Sequence, residues 1–347
     1  MRTNNEATFI ARAMNDWIAR HIKDVQGDGE NTVRTYKMVM RLYVQFLERN
    51  KHVTPDGLSG ECFCRANLEE WMTAMQTTRK CSNATCNHHV AIVRMFLKHL
   101  YSRDISYLTY YTGASQIKKM KCPRKNTEDI TKEAVKAFLS VPDTTTRIGL
   151  RDHTLFSLMY CTATRIDEVL SLTISSINTD GRGNYHMTVH GKGNKVRTIP
   201  LLKKEHEVVK NYIRVFHGDT PQGEDLLFYV QRREHKEKLT QSAVSKRMKL
   251  YVRKASKICD DVPVNLHCHS LRHARATHWL EQGVGLAIIQ KLLGHENINT
   301  TMIYVGVSIK QKSNALETLE DEDTRSMPKK WKQLKKGNSL AEFLGLK

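Results

Sequence analysis

The sequence predicts a mainly helical protein with a small β-hairpin, divided into two domains. Apolar residues recur at helical spacing through residues 1–112. Apolar and polar residues alternate at 185–189, and Val196 and Ile199 flank two polar residues at 197–198, on either side of the turn sequence GKGNK. The length of 347 residues accommodates two domains of about 150 residues each.

The first 112 residues are expected to form a four-helix bundle, because four apolar stripes follow one another with short polar connections. Pro55, Gly57 and Gly60 mark the loop between the second and third helices. The stripes consist of Ile10, Met14, Trp17 and Ile18; Tyr36, Val39, Tyr43, Phe46 and Leu47; Leu68, Trp71, Met72 and Met75; and Val90, Val93, Phe96, Leu97 and Leu100.

A basic linker is predicted at residues 113–127, which contain Gly113, Pro123 and five Lys or Arg residues. The second domain is expected over residues 128–310. Its first helix starts after the capping residue Thr131, its second ends before Arg165, and the hairpin follows. Further helices are predicted near 204–216, 240–257, 270–282, 285–293 and 298–304.

The C-terminal tail, residues 311–347, changes from acidic to basic and ends in SLAEFLGLK. Ser339 and Glu342 form a capping-box pattern, after which Leu340, Phe343 and Leu344 share one helix face. A helix this short is not stable alone in water, so its apolar face needs a groove. The groove belongs either to the tail's own domain or to a neighbouring protomer.

The net charge of +19, from 55 Lys and Arg against 36 Asp and Glu, favours a polyanionic partner. Nucleic acid is the first expectation and an anionic membrane surface the second. No apolar run approaches the roughly 18 residues of a membrane span, and the N-terminus has no signal-peptide core, so an intracellular protein is expected. The sequence contains no phosphate-binding motif of nucleotide hydrolases, and no cofactor is predicted.

The eight cysteines are expected to be free thiols. Cys62 and Cys64, with Cys81 and Cys86, are an alternative zinc set, but their spacing is not that of paired zinc ligands. A second alternative is a metal between His269 and His273, with His267 and Cys268 nearby. No metal site is predicted.

The segment 267–304 carries the residues most suited to catalysis. It contains His269-x-x-Arg272-His273, then Leu293-Gly294-His295, then Tyr304. Arginine binds phosphate through a bidentate fork, histidine carries protons near neutral pH, and tyrosine can form a covalent intermediate. Together these residue types indicate chemistry on a phosphodiester.

These motifs, with Thr162-Ala-Thr-Arg165-x-x-Glu168 and Gly191-Lys192-Gly193 upstream, resemble those of the tyrosine recombinase (integrase) family of site-specific DNA recombinases. They occur in the family's order and at similar spacing. The resemblance implies that the second domain is the catalytic domain and that the N-terminal bundle is the core-binding domain. The chain departs from the family at Ala163-Thr164, where glycine is frequent.

The resemblance also assigns roles to the site residues. Arg165 and Arg272 would stabilise charge on the phosphate, and Lys192 would protonate the leaving 5′-oxygen, with Lys195 and Arg197 as rivals. His269 would accept the proton of the nucleophile or hydrogen-bond the phosphate, and His295 would donate to a phosphate oxygen. Tyr304 would be the nucleophile that forms a 3′-phosphotyrosine. Glu168 would hold a neighbouring group in place, and His273 would pack.

DNA contact is predicted for basic residues of the bundle and the linker, although a solvated face is the alternative. These residues are Arg34, Lys37, Arg94, Lys98, Lys118, Lys119, Lys121, Arg124 and Lys125. The expected partners are duplex DNA with an inverted-repeat site and a homotetramer assembled on it, in the cytoplasm at a prokaryotic nucleoid. The alternatives are a topoisomerase-like nicking and closing enzyme of type IB and a DNA-binding regulator on a recombinase scaffold.

Overall fold

The computed structural model describes residues 5–21, 30–123, 130–191, 195–232, 235–302 and 304. The chain divides into two compact units, residues 1–126 and 127–347. Each unit has its own hydrophobic core. The predicted fold class, mainly helical with small antiparallel sheets, is confirmed. No helix within these ranges is long and apolar enough to cross a membrane.

The first unit contains the four predicted helices and one short helix that was not predicted. α1 continues into a single π turn, and three 3₁₀ turns connect the later helices. The predicted stripes line one core, in which Tyr43 packs against Phe63 and Trp71. The helices are α1 Asn5–Asp16, α2 Glu30–Lys51, α3 Arg65–Thr77, α4 Asn83–Arg103 and α5 Leu108–Ser115.

The described part of the predicted linker packs on the first unit. Gly113 lies within α5, and Ile117 is buried in the core of the bundle. The side-chain amide of Asn87 donates to the carbonyl of Met120, and its carbonyl accepts from the Met120 amide, both at 2.9 Å. These bonds hold residues 117–121 along α4, while residues 124–129 lie outside the described ranges.

The second unit combines eight helices with five short strands within its described residues. β1, β2 and β3 form an antiparallel sheet in that order, and β4 and β5 form a separate hairpin. The elements are α6 Lys132–Ser140, α7 Arg147–Thr162, α8 Ile166–Leu170, β1 Ile177–Thr179, β2 Tyr185–His190, β3 Val196–Leu201, α9 Lys203–His217, β4 Tyr229–Arg232, β5 His235–Lys238, α10 Gln241–Ala255, α11 Cys268–Glu281, α12 Leu286–Leu293 and α13 Asn299–Met302.

The predicted hairpin is confirmed as the β2–β3 pair, whose register runs from Tyr185 opposite Leu201 to His190 opposite Val196. Met187, Val189 and Ile199 point into the core, as predicted. Val196, which was predicted with Ile199, is 58% exposed because residues three positions apart lie on opposite faces of a strand. At the turn end of the hairpin, the Gly191 amide donates to the Lys195 carbonyl at 2.7 Å. Residues 192–194 lie outside the described ranges.

Helix termini determine where the candidate residues lie. α6 is capped by Thr131, whose hydroxyl accepts from the Ala134 amide, as predicted. α7 ends at Ala163, which has a left-handed backbone (φ +50°), so the chain turns sharply before Arg165. α12 ends at Gly294, also left-handed (φ +66°), directly before His295.

Candidate active site

Arg165 and Glu168 form the first part of the site at the start of α8. The backbone amide of Arg165 donates to Oε2 of Glu168 at 2.8 Å, and its Nη1 donates to Oε1 at 3.0 Å. The Arg165 side chain is 38% exposed, whereas that of Glu168 is 6% exposed. Glu168 therefore holds Arg165 from beneath and leaves its guanidinium accessible to a ligand.

Arg197 on β3 is the second cation bound to Glu168. Its Nη1 donates to Oε1 at 2.9 Å, its Nη2 donates to Oε2 at 2.7 Å, and its Nε donates to the Leu292 carbonyl at 3.1 Å. Burial alone would raise the pKa of Glu168, but the hydrogen bonds and charges of Arg197 and Arg165 outweigh it and lower that pKa. The carboxylate is thus ionised between two arginines.

Arg272 lies on α11 and is buried, with 4% of its surface exposed. Its Nη1 donates to the carbonyl of Ala163 and its Nη2 to the carbonyl of Leu293, both at 2.7 Å. Burial, followed by the charge of Arg165, lowers its pKa to about 10, so the guanidinium is still charged at neutral pH. Two main-chain carbonyls therefore fix the orientation of a charged side chain.

His269 and His273 lie one turn apart on α11. Burial, followed by neighbouring cationic groups that include Arg272, lowers the pKa of both imidazoles. Both rings are therefore neutral at neutral pH. The alternative of a metal gains no geometric support, because within the described ranges no group of three His, Cys, Asp or Glu side chains is arranged to hold a metal ion.

The nearby His267 caps the start of α11, where its Nδ1 accepts a hydrogen bond from the Ser270 amide at 3.1 Å. Cys268 is buried, which raises the pKa of its thiol to about 11. The thiol is therefore protonated at neutral pH.

His295 follows the left-handed Gly294. Its Nδ1 lies 2.9 Å from the hydroxyl of the buried Thr301. Burial, followed by the charges of Arg272 and Arg165, lowers its pKa to about 4. The imidazole is therefore uncharged at neutral pH, so any hydrogen bond it donates comes from a neutral ring.

Tyr304 is buried in the same unit and is 4% exposed. It belongs to a small apolar cluster with Ala163, Trp279 and Leu293, and its ring lies 5.5 Å from that of His273. Burial raises the pKa of its phenol, whereas the charges of Arg272 and Arg165 oppose that rise. The hydroxyl is therefore protonated at neutral pH and close enough to both arginines to feel their charge.

The structure thus brings Arg165, Glu168, Arg272 and His295 together with Tyr304. Lys192 lies outside the described residues, and its position stays a prediction. Of its rivals, Lys195 forms an exposed ion pair with Glu296, and Arg197 is bound to Glu168.

The predicted DNA-contact residues are mostly at the surface of the first unit, and their role stays a prediction. Arg94 is half-buried and donates from Nε to the Ala114 carbonyl at 3.2 Å, so it also supports the end of α5. Arg124 and Lys125 lie outside the described residues. The exposed members are Arg34, Lys37, Lys98, Lys118, Lys119 and Lys121.

Two features of the site were not found from the sequence. The first is the contact between Arg197 and Glu168, which are 29 positions apart. The second is Thr301, whose hydroxyl is within hydrogen-bonding distance of His295 and whose carbonyl accepts from the Tyr304 amide. Thr301 follows another threonine in NINTTM, so only its place in a predicted helix could have suggested burial.

Comparisons with known proteins identify the family of the chain. The model of the phage integrase family matches residues 128–311, which is more than half of the chain. The chain therefore belongs to the phage integrase family, the tyrosine recombinases, whose members are DNA strand-transferring enzymes. The family expected from the motifs is confirmed.

Three individual proteins show how similar the chain is to known tyrosine recombinases. The chain is 37% identical over 205 residues to the tyrosine recombinase XerA of Pyrococcus furiosus, a match that covers 59% of this chain and 66% of the relative, just under two thirds. It is 28% identical over 312 residues to the tyrosine recombinase XerD of Pasteurella multocida, covering 87% and 94% of the two chains. A crystal structure of the XerH site-specific recombinase bound to its difH substrate superposes with a TM-score of 0.66 at 20% identity, covering 92% and 97% of the chains.

Proposed function

We propose that this protein is a site-specific recombinase that cuts and rejoins duplex DNA through a covalent 3′-phosphotyrosine. The observation that carries the proposal is the position of Tyr304, buried beside His273 and within the electrostatic influence of Arg165 and Arg272. A buried phenol near two cations is suited to attack a phosphate, because the charge that repels a nucleophile is offset.

The proposed cleavage step balances as follows. The Tyr304 oxygen forms a bond to phosphorus while the bond from phosphorus to the 5′-oxygen breaks. The phenol proton passes to a neutral acceptor, for which His269 is suited because its lowered pKa leaves it unprotonated. Lys192 gives a proton to the departing 5′-oxygen, which leaves as a hydroxyl. The phosphotyrosine ester keeps the energy of the broken bond, so rejoining needs no ATP.

The arginines would stabilise the transition state. Arg272 is fixed by two carbonyl groups and Arg165 by Glu168, so both guanidinium groups are oriented before DNA binds. His295, which is neutral, would donate a hydrogen bond to a non-bridging oxygen. Three preorganised donors around one phosphate match the charge that accumulates on its oxygens.

We further propose that the protein acts as a tetramer on an inverted-repeat site. Exchange between two duplexes requires four strand cuts and therefore four active sites, with a Holliday junction between the two rounds of exchange. The N-terminal unit would be the core-binding domain, with its exposed lysines and arginines on the phosphate backbone. The reaction would integrate, excise or transpose a mobile element, in the cytoplasm at the nucleoid.

Covalent trapping tests the proposal. A nicked duplex that carries the inverted repeats flanking the gene should retain the protein at a DNA 3′ end on a denaturing gel. Tyr304→Phe should abolish the adduct while DNA affinity is unchanged. Tyr212→Phe is the matched control, because Tyr212 is a buried tyrosine of the same unit whose hydroxyl has no hydrogen-bond partner within the described structure.

An adduct formed by the Tyr304→Phe variant would show that another residue is the nucleophile. Relaxation of a supercoiled plasmid that lacks the site would favour the topoisomerase-like alternative. Binding to DNA without any adduct would favour a regulator.

A further inference from the structure

We propose that Arg197 is a positioning residue that joins three separate segments of the active site through one guanidinium group. The inference rests on the proposed function, because it concerns how the same site is held. The three segments are the start of α8 with Arg165, the end of α12 before His295, and Gly191 at the end of β2, next to Lys192.

The first connection runs through Glu168. Arg197 donates two parallel hydrogen bonds to the buried carboxylate, at 2.9 and 2.7 Å, and Arg165 donates to the same carboxylate at 3.0 Å. Without Arg197, Arg165 would be the one ion-pair partner left to Glu168 among the described residues, and the carboxylate could move with it. With Arg197 in place, the Glu168 carboxylate is bound to a residue of β3, and Arg165 is held against that carboxylate.

The second connection reaches the end of α12. The Nε of Arg197 donates to the Leu292 carbonyl at 3.1 Å, which satisfies one of the last carbonyls of that helix. A Cβ atom at Gly294 would lie 3.2 Å from the Arg197 side chain, so the guanidinium also packs against the residue before His295. Only a glycine combines this close approach with the left-handed backbone found there.

The third connection is with Gly191, where the β2 strand meets the turn of the hairpin. Arg197 is itself a residue of β3, and a Cβ atom at Gly191 would lie 3.3 Å from its Nη1 and 3.6 Å from Oε1 of Glu168. The residue before Lys192 therefore rests on the Arg197–Glu168 pair. The turn that follows Gly191 therefore begins at a residue packed against this ion pair.

This arrangement also argues against Arg197 as the general acid. Its three hydrogen bonds all go to protein groups, and its side chain is only 14% exposed. Arg197 therefore acts through Arg165, His295 and the hairpin.

The test compares Arg197→Ala with a matched variant, Arg247→Ala. Arg247 donates from Nε to the buried carboxylate of Asp152 at 2.7 Å, in the same unit but outside the site. Both variants are expected to lower the melting temperature. At saturating nicked DNA, only Arg197→Ala should slow covalent cleavage, by about 10²-fold, the cost of misplacing a catalytic group by about 1 Å. DNA affinity should change less than about threefold for either, since the guanidinium groups of both arginines are hydrogen-bonded to protein groups.

Arg197→Lys keeps the positive charge and protects the test against a variant that does not fold. A lysine cannot make the bidentate contact, so cleavage should still be slowed, though less than in the alanine variant. A double variant, Arg197→Ala with Glu168→Ala, should be no slower than the worse single variant, because the two residues act as one unit.

A substrate with a sulfur at the 5′-bridging position distinguishes positioning from proton donation. Sulfur leaves without a proton, so a general-acid defect is rescued, whereas the Arg197→Ala defect should largely persist. Full rescue would overturn the proposal, and so would wild-type cleavage by Arg197→Ala or an equal loss in Arg247→Ala. Failure of the wild-type protein to form the adduct would instead contradict the proposed function.

Discussion

His295 is linked to Tyr304 through Thr301. The imidazole Nδ1 lies 2.9 Å from the Thr301 hydroxyl, and the Thr301 carbonyl accepts a hydrogen bond from the Tyr304 amide at 3.1 Å. Thr301 is completely buried, so this link is shielded from water. His295, the candidate hydrogen-bond donor to the phosphate, and Tyr304, the candidate nucleophile, are therefore held on one short segment. The protonation state of His295 affects both residues.

The stability of the DNA-free protein should depend on His295 at acidic pH. Its pKa in the fold is about 4, below the ordinary value of about 6.5, so between these values the unfolded chain binds more protons. The contribution is fully present above about pH 6.5 and is lost as the pH falls towards 4. In denaturant titrations across that range, His295→Asn should lose less stability on acidification than the wild type. Parallel curves would mean that His295 titrates normally.

Lys192 is expected to be the general acid. Lys192→Ala should cleave normal DNA about 10²- to 10⁴-fold more slowly, the usual contribution of general acid catalysis. A 5′-bridging phosphorothiolate should restore the rate, because a thiolate leaves without a proton. Lys195→Ala is the control: Lys195 forms an exposed ion pair with Glu296, and its loss should have little effect on either substrate. An equal Lys192→Ala defect on both substrates would assign the role elsewhere.

Ala163→Gly should fold and cleave like the wild type. A left-handed backbone costs an alanine about 1 kcal/mol or more, which glycine would not incur. Glycine would also remove a buried methyl group worth about 0.8 kcal/mol, so the free energy of unfolding should change by less than about 1 kcal/mol. Ala163→Val, with a β-branched side chain, should destabilise the protein by more than about 2 kcal/mol. Chemical denaturation measures the free energy of unfolding of both variants. Equal values for the Ala163→Gly and Ala163→Val variants would contradict the strained backbone at this position.

Cleavage should persist in EDTA. Arg165 and Arg272 supply the positive charge that a bound metal provides in other phosphoryl-transfer enzymes. The rate of covalent trapping in excess chelator should therefore equal that in buffer. Loss of trapping, restored by a divalent ion, would revive the metal alternative at His269 and His273.

The C-terminal segment, residues 338–347, lies outside the described residues, and its docking stays a prediction. If its apolar face binds a neighbouring protomer, Phe343→Asp should weaken tetramer formation on DNA more than binding to a single site, because a buried unpaired carboxylate is costly. Ala341→Asp is the control, since it adds the same charge away from the apolar face. Native gels separate these species. Unchanged tetramer formation with a lower melting temperature would indicate docking within one chain.

Strong local patterns made much of the fold predictable from the sequence. The stripes of α2 and α4 and the alternation in β2 each proved to be a buried face, whereas in β3 Ile199 is buried and Val196 is 58% exposed. The β4–β5 hairpin was missed because β5, HKEK, is polar and exposed on both faces. α5 was missed because LTYYTGAS has no polar side to define a stripe.

The candidate site was predicted as a set of residues but not as an arrangement. The motifs identified Arg165, Arg272, His295 and Tyr304, since their chemistry and order are visible in the sequence. The bonds that orient them join residues far apart in the chain or involve backbone atoms, as in the contact between Arg197 and Glu168. No local pattern encodes a tertiary contact of that kind.

The orientation of Arg272 depends on main-chain atoms and not on the identity of neighbouring side chains. Its two short hydrogen bonds end on the carbonyl oxygens of Ala163 and Leu293, which are atoms that every amino acid possesses. Mutations at either position can change the side chain without removing the acceptor, provided that the backbone keeps its course. The orientation of the arginine is therefore determined by the path of the backbone and not by the side chains at these two positions.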